Sequence, residues 1–211
     1  MSEFTDKWVK SHRSTVADKL REAFQPSAPL RPKLEWARRQ LQAEIQKMDS
    51  ILARLKRKDE DIFRRSVTAL QHHDTQLATA LSNELAEVRK MSKLVSQARL
   101  ALEQISLRLT TVEDVGDVAV VLAPAAGIIR SIRSGLANVM PEAESELGEI
   151  NSMLSNILVE AGQLGGLTLN FEAANEEAEK ILAEAAAVAE QRMKESFPEL
   201  PTSETREKTT E

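Results

Sequence analysis

Two apolar tracks with a seven-residue repeat, separated by one polar break, constrain this chain more than any other feature. Leu34, Leu41, Met48, Leu55 and Ile62 recur at intervals of seven, and so do Leu81, Val88, Val95, Leu102 and Leu109, with Met91, Ala98, Ile105 and Val112 beside them. No Pro or Gly falls between Lys33 and Asp114. Between the tracks lies Gln71-His72-His73-Asp74-Thr75. A seven-residue interval keeps side chains on one face of a helix. The pattern therefore predicts two helices of roughly 35–40 residues, each ~55–60 Å long at ~1.5 Å per residue, folded into a hairpin. An average globular helix has about 11–12 residues. Helices this much longer make a strut with extended side surfaces and little room for a pocket.

Composition agrees with an all-α fold. The 211 residues include 7 Gly, 7 Pro and no Tyr, and aromatics are 3% of the chain. That is too few aromatics for a β-sandwich or an ordinary α/β core. The absence of cysteine excludes a disulfide framework and thiolate zinc sites, and favours an intracellular setting. The stretch from Met1 to Phe24 is charged throughout, unlike a signal peptide. The longest apolar run, Val118–Ile129, contains Pro124 and falls short of the roughly 20 residues of a membrane span. The net charge of -5 hides a division. Residues 1–110 carry 21 Lys and Arg against 14 Asp and Glu, whereas residues 111–211 carry 7 against 19. Opposite halves of this kind attract each other within one chain or head to tail between copies.

Organisation follows from the breaks. Residues 1–31 hold an amphipathic helix over 3–24 and a linker with Pro26 and Pro29; with Pro32 just after it, that makes three prolines in seven residues, which no continuous helix accommodates. In that helix Phe4, Trp8, Val16, Leu20 and Phe24 fall near one face, among Lys7, Lys10, Arg13, Lys19 and Arg21. The core, residues 32–161, contains the hairpin over 32–112 and two further helices. Helix one is expected from Pro32 to Leu70, and helix two from near Asp74, a good N-cap, to about Thr110. Thr110-Thr111-Val112-Glu113 has capping-box spacing, so two readings fit: a restart there, or one continuous helix. A third helix, about Glu113–Leu136, is expected to be interrupted by Pro124 and Gly127. A fourth starts at Pro141 with Glu142, Glu144 and Glu146 in its first turns, where the helix dipole favours acids. Residues 162–195 supply a hinge, Gly162–Gly166, and an acidic, Ala-rich helix capped by Asn170 with the stripe Phe171, Ala174, Ala178, Ile181, Ala185 and Val188. Residues 196–211 read as a disordered polar tail.

Nothing catalytic emerges. No strand scaffold converges side chains as a nucleophile–base site requires, and Gly165-Gly166 lacks the Lys and Ser/Thr of a phosphate loop. His72 and His73 read as turn residues rather than metal ligands. The expectation is a protein that is not an enzyme and needs no cofactor. Lys47, Arg54, Lys58 and Arg65, within ~40° of one another at 100° per residue, line a flank of helix one away from its apolar face. Such a flank is either an ordinary solvated face or, with the aromatic and basic N-terminal helix beside it, a surface for anionic membrane. Nucleic acid is disfavoured, because the pI is about 5.5 and aromatic platforms for bases are nearly absent.

Particular segments bear a family resemblance. They are Pro29-Leu30-Arg31-Pro32, Asp59-Glu60-Asp61-Ile62-Phe63, and Asn83-Glu84-Leu85-Ala86-Glu87-Val88-Arg89-Lys90-Met91. Leu100-Ala101-Leu102-Glu103, Arg108-Leu109-Thr110-Thr111-Val112, Met140-Pro141-Glu142 and Glu149-Ile150 continue the series. In this order, with these helix lengths, the chain resembles the archaeal cell-division proteins of the Cdv B group, relatives of eukaryotic ESCRT-III subunits, over roughly residues 4–160. The resemblance implies a five-helix fold with a basic hairpin and polymerisation with itself and with paralogous ESCRT-III-like subunits. It also implies membrane constriction at the division site, on the cytoplasmic face of the cell membrane, and remodelling by an AAA ATPase of the CdvC type. The chain ends ten residues after Pro201, without the winged-helix segment that binds the CdvA adaptor in the longer family member. It looks like a shorter paralogue.

Three site expectations complete the reading. Phe4, Trp8, Leu20 and Phe24 enter the lipid headgroup boundary while Lys7, Lys10, Arg13, Lys47, Arg54, Lys58 and Arg65 meet acidic lipid; the alternative packs residues 3–24 back on the hairpin. Helix one carries 11 bases and 6 acids over Arg31–Leu70, and the last helix 3 bases and 7 acids over Glu172–Glu195. The last helix is therefore expected to fold back on the hairpin as an autoinhibitory latch resting on Phe171, Ala178, Ile181 and Ala185. The bland alternative is a mobile acidic helix. Finally, Phe197-Pro198-Glu199-Leu200-Pro201 reads as an extended segment with Phe197 and Leu200 as exposed anchors. It resembles the family's proline-rich ATPase-interaction motif, the alternative being a helix stop before a disordered tail.

Overall fold

A computed structural model describes residues 30–112, 115–165 and 171–197. Among these residues there are five α-helices and no strand: α1 (Leu30–Gln71), α2 (Thr75–Leu109), α3 (Val115–Leu136), α4 (Pro141–Gly165) and α5 (Phe171–Ser196). The 42 residues of α1 extend ~63 Å at ~1.5 Å per residue. Pro32 sits in its first turn, where no intrahelical N–H bond is lost.

The tip of the hairpin closes with two capping devices back to back. The Asp74 amide bonds Ala69 O at 2.9 Å and the His73 amide bonds Leu70 O at 3.1 Å, the paired bonds of a Schellman turn. His73 occupies the left-handed position, φ 58°, which glycine usually fills. Asp74 then caps α2 by accepting from the Leu77 amide at 3.0 Å. His72 and His73 are thus turn residues, exposed at the far end of the molecule.

The seven-residue tracks face each other along the hairpin, and the buried side chains fall into two clusters. At the base, Leu41, Met48, Val95, Leu102 and Ile105 join the faces of α3, α4 and α5 in one large core. Toward the tip, Ile62, Ala69, Ala78, Leu81, Leu85 and Val88 form a smaller one from the two hairpin helices alone. A polar layer lies between them. Asp59 of α1 is 1% exposed and accepts both Nε (2.7 Å) and Nη2 (3.3 Å) of Arg89 from α2. Asp59 takes a seam position of its heptad, four residues after Leu55.

The remaining helices cover the base. α4 runs antiparallel to α1, with Lys33 on Glu160 at 2.5 Å near one end and Lys47 on Glu146 near the other. α5 lies on α2 and α3, and Arg108–Glu177 (2.5 Å) and Lys93–Glu190 (3.2 Å) fix it antiparallel to α2. α3 is the centre of this layer, touching α2, α4 and α5.

Two boundaries differ from the sequence expectation, and a third settles an open one. α3 is not interrupted: Pro124 lies inside a continuous helix with its ring buried. Proline removes one backbone hydrogen bond, but Leu122, Ala125, Ile128 and Ile129 around it are 0–3% exposed, and that packing holds the helix straight through. α4 runs on to Gly165, so most of the expected Gly162–Gly166 hinge is helical; residues 166–170, with the expected Asn170 cap, lie outside the described residues. At the other ambiguous point α2 stops, with Thr110 and Thr111 hydroxyls bonded back to Leu107 O and Arg108 O. By length and composition Asp117–Leu136 of α3 is long and apolar enough to cross a membrane, its charges being Asp117, Arg130 and Arg133. Here its Val118, Leu122, Ile128, Ile129 and Leu136 are buried in the core.

Removing one partner of a buried ion pair typically costs ~3–5 kcal/mol, whereas replacing both with apolar residues is often neutral. Asp59→Ala is therefore expected to lower unfolding stability by about 3 kcal/mol, and Asp59→Leu with Arg89→Met to recover most of it. Urea unfolding followed by circular dichroism checks both.

Candidate functional site

The surfaces of interest are the basic flank of α1, the acidic helices laid against the hairpin, and the point where the described chain ends. Their side chains are placed by helix register, so each can be followed from its residue number. The N-terminal candidates Phe4, Trp8, Leu20, Phe24, Lys7, Lys10 and Arg13 lie outside the described residues, as do Pro198, Glu199, Leu200 and Pro201.

The four cations on α1 divide. Lys47 is bonded to Glu44 at 3.1 Å and to Glu146 of α4, and Lys58 to Glu84 of α2 at 3.0 Å. Arg54 and Arg65 are exposed and carry no ion pair among the described residues. Lys56 and Arg57, which the flank argument left out, are likewise exposed and unpaired. Their charge is on the page in the run Arg54–Lys58, but their angular position put them on another side of the helix. Clefts exist despite the strut shape: one of about 450 Å³ lies between α1 and the start of α4, lined by Lys47, Ile51, Arg54, Met140 and Glu146.

At that junction Glu44 is 2% exposed. Its Oε1 accepts from Lys47 at 3.1 Å, and its Oε2 has no donor. Burial pushes the Glu44 carboxyl up to about 7, helped by a hydrogen bond to Glu146. Glu146 shifts the other way: the bond from Glu44, then Lys47, hold it below the usual carboxylate range. Lys47 is pushed up, by Glu146 first and Glu44 second. The three act as one unit, a carboxylic acid donating to a carboxylate that also holds an ammonium group. Only the tertiary fold brings Glu146 to Glu44. The one hint in the sequence is that Glu44 lies three residues from Leu41, next to the apolar stripe.

On α5, Ala178, Ile181 and Ala185 are 1–5% exposed and belong to the base core, with Ala189 at 0% beside them. The Phe171 side chain is outside the described residues. The α5 ion pairs are made with α2, not with the more basic α1, which instead receives α4. Charge totals alone do not choose between acidic partners; α4 follows α3 by a short turn and reaches α1 first.

The described chain ends on the polar layer of the hairpin. The Phe197 ring lies 5.4 Å from Arg89 Cζ, a cation–π contact on the same guanidinium that Asp59 holds. Phe197 is thus half-buried, not the freely exposed anchor that its place in a polar tail suggested. Its aromatic ring follows the last turn of α5, and that helix points it at α2. Among the described residues no group of three or more His, Cys, Asp or Glu side chains is gathered as a metal would need.

Comparison with known proteins places this architecture. No protein-family model matches the chain, and no solved structure matches it. Two cell-division proteins of Sulfolobus acidocaldarius do. Cell division protein B1 is 40% identical over 173 residues, which is 82% of this chain and 81% of that protein. Cell division protein B is 32% identical over 161 residues, 76% of this chain and 62% of that longer protein. At that identity over most of its length, the chain belongs to the Cdv B-type cell-division proteins.

Proposed function

We propose that this protein is a structural, non-catalytic subunit that polymerises into filaments on the cytoplasmic face of the membrane during archaeal cell division. Its filaments contain paralogous subunits, and an AAA ATPase remodels them. The observation that carries the reading is the 40% identity to Cell division protein B1 along most of both chains. The hairpin is consistent with it: a helix pair ~60 Å long offers side surfaces for repeated contacts, and Arg54, Lys56, Arg57 and Arg65 are unpaired along it.

In this reading the N-terminal residues Phe4, Trp8, Leu20 and Phe24 anchor at the headgroup level, and the α1 cations add electrostatic attraction. Each basic residue near an anionic surface contributes about 1 kcal/mol. Arg54→Ala with Arg65→Ala is therefore expected to weaken binding to acidic vesicles roughly thirtyfold. Raised salt should weaken binding further, and removal of residues 1–24 should abolish it. Vesicle co-sedimentation measures all three. Pelleting that ignores lipid charge and residues 1–24 would leave a soluble helical scaffold instead.

α5 acts here as the latch that keeps subunits closed. Its individual ion pairs with α2 are partly exposed, at ~0–1 kcal/mol each. Most of its hold comes from Ala178, Ile181, Ala185 and Ala189 in the core. Deleting residues 167–211 should shift the protein from the supernatant into sedimenting filaments, seen by ultracentrifugation and electron microscopy. Assembly equal to that of the full chain would remove the latch. Phe197-Pro198-Glu199-Leu200-Pro201 is the segment proposed to meet the ATPase, and its Phe197 becomes available when it leaves Arg89.

A further inference from the structure

We propose that the junction of α1 and α4 is a proton-controlled latch: one proton held between Glu44 and Glu146 keeps α4 on the hairpin, and loss of that proton releases it. The geometry comes first. Glu44 is buried between two helices, and its Oε2 lacks a donor among the described residues. Lys47 is bonded to both Glu44 and Glu146, which sets a second acid beside the buried one. Two carboxylates cannot hydrogen-bond each other unless one of them carries a proton. A proton on Oε2 satisfies the orphaned oxygen and turns a repulsive contact into a bond joining α1 to α4.

The other charged groups around Glu44 do not relieve it. On α1, Lys47 divides its ammonium between Glu44 and Glu146, and Asp49 is taken by Arg99. From α2, Arg99 is also paired with Glu103, and Arg108 is paired with Glu177 of α5. From α4, Glu142 lines the neighbouring cleft and adds a further negative charge. That cleft, about 450 Å³ with Lys47 and Glu146 in its wall, gives water access to the pair and gives the start of α4 space to move.

The direction follows from linkage. In an open junction Glu44 returns to its ordinary value of 4.5; in the closed one it titrates at about 7. Between those values the closed form holds the extra proton. Each unit of pH rise within that window lowers the closed-to-open ratio by up to about tenfold. Above it both forms are ionised and the dependence ends. Glu146 is lowered rather than raised, so it opposes this trend only in acid, below 4.5.

The test uses the full chain, which contains no cysteine. Ser50→Cys on α1 and Ser152→Cys on α4, both exposed, carry spin labels whose separation is read by double electron–electron resonance between about pH 4.5 and 8.5, a range that contains the whole window. The expected result is a single short separation in acid and a growing longer one across neutrality, with helical circular dichroism unchanged. Glu44→Gln keeps an N–H donor toward Glu146 and cannot titrate, so it should hold the short separation throughout. Glu146→Gln removes the neighbouring acid but leaves Glu44 buried and titratable, so it should open less than the native sequence at the same pH, and it serves if the first variant fails to fold. A separation independent of pH in the native sequence, or the same opening in either variant, overturns the latch.

Discussion

A helix in a two-helix hairpin can bury only one stripe of its surface, and most of this structure answers to that limit. The seven-residue tracks satisfy one face of α1 and one of α2. Near the base, Ala37, Ile45, Ala98 and Ala101 broaden each stripe beyond the seam, and α3, α4 and α5 cover the extra width. Near the tip the stripe is narrow, Ile62 and Ala69 against Ala78, Leu81 and Leu85, and nothing covers it among the described residues. Where the broad stripe gives way to the narrow one, the seam turns polar, with Asp59 on Arg89. Such a pair adds little net stability, but it tolerates few alternative alignments. Slipping α1 along α2 by one turn would leave both charges buried without partners. The polar layer therefore fixes the register on which every covering helix depends.

Charge then decides which acidic helix goes where, within limits set by the chain. The surplus of positive charge before residue 111 and of negative charge after it predicts attraction, not an address. Arg133 on Glu144 at 2.6 Å folds α4 back on α3. That fold brings the line of acids Glu146 and Glu160 to Lys47 and Lys33 of α1. α5, arriving last, takes the remaining face of α2 and α3. Small residues admit it closely: a Cβ added at Gly127 of α3 would stand 3.5 Å from the Ala178 methyl, ordinary contact distance. Gly148 is tighter, 3.1 Å from the Arg133 guanidinium that ties α3 to α4, so any larger residue there must displace it. The pairs are individually weak where exposed. Their value is alignment of faces whose binding energy is apolar.

Most of the fold was legible because its strongest signals are local and periodic. Uninterrupted heptads gave both hairpin helices, Asp74 gave the start of α2, and Ala174, Ala178, Ile181 and Ala185 of the α5 stripe are buried, whereas Val188 at its end is exposed. The misreadings have one cause. Pro124 and Gly162 carry intrinsic penalties for helix, and burial outweighs a penalty that local reasoning can only add up. The candidate sites were less legible. The flank Lys47, Arg54, Lys58 and Arg65 was found from angle alone, yet whether a cation is available depends on acids about a hundred residues away, as Glu146 shows for Lys47. Phe197 and Arg89 meet only because α5 has the length to bring its end to the polar layer. Contacts of this kind have no sequence signature at all.

The two covering helices grip different legs of the hairpin, and this has a mechanical consequence. α4 holds α1 through Lys33, Lys47 and the buried Glu44, while α5 holds α2 and α3 through alanines, Ile181 and two surface pairs. The α4 contact contains a titratable buried group; the α5 contact is largely apolar and depends on close approach. They therefore respond to different agents. On the proposed latch protons would act on the first, whereas the second would yield to whatever competes for its apolar face. Releasing α5 leaves α4 on α1 and the base core mostly intact, because α3 remains packed on both α2 and α4. Releasing α4 from α1 uncovers Lys47 and Ile51 without touching the Asp59–Arg89 pair. A bundle covered in this way does not have to open all at once, since each leg carries its own cover with its own chemistry.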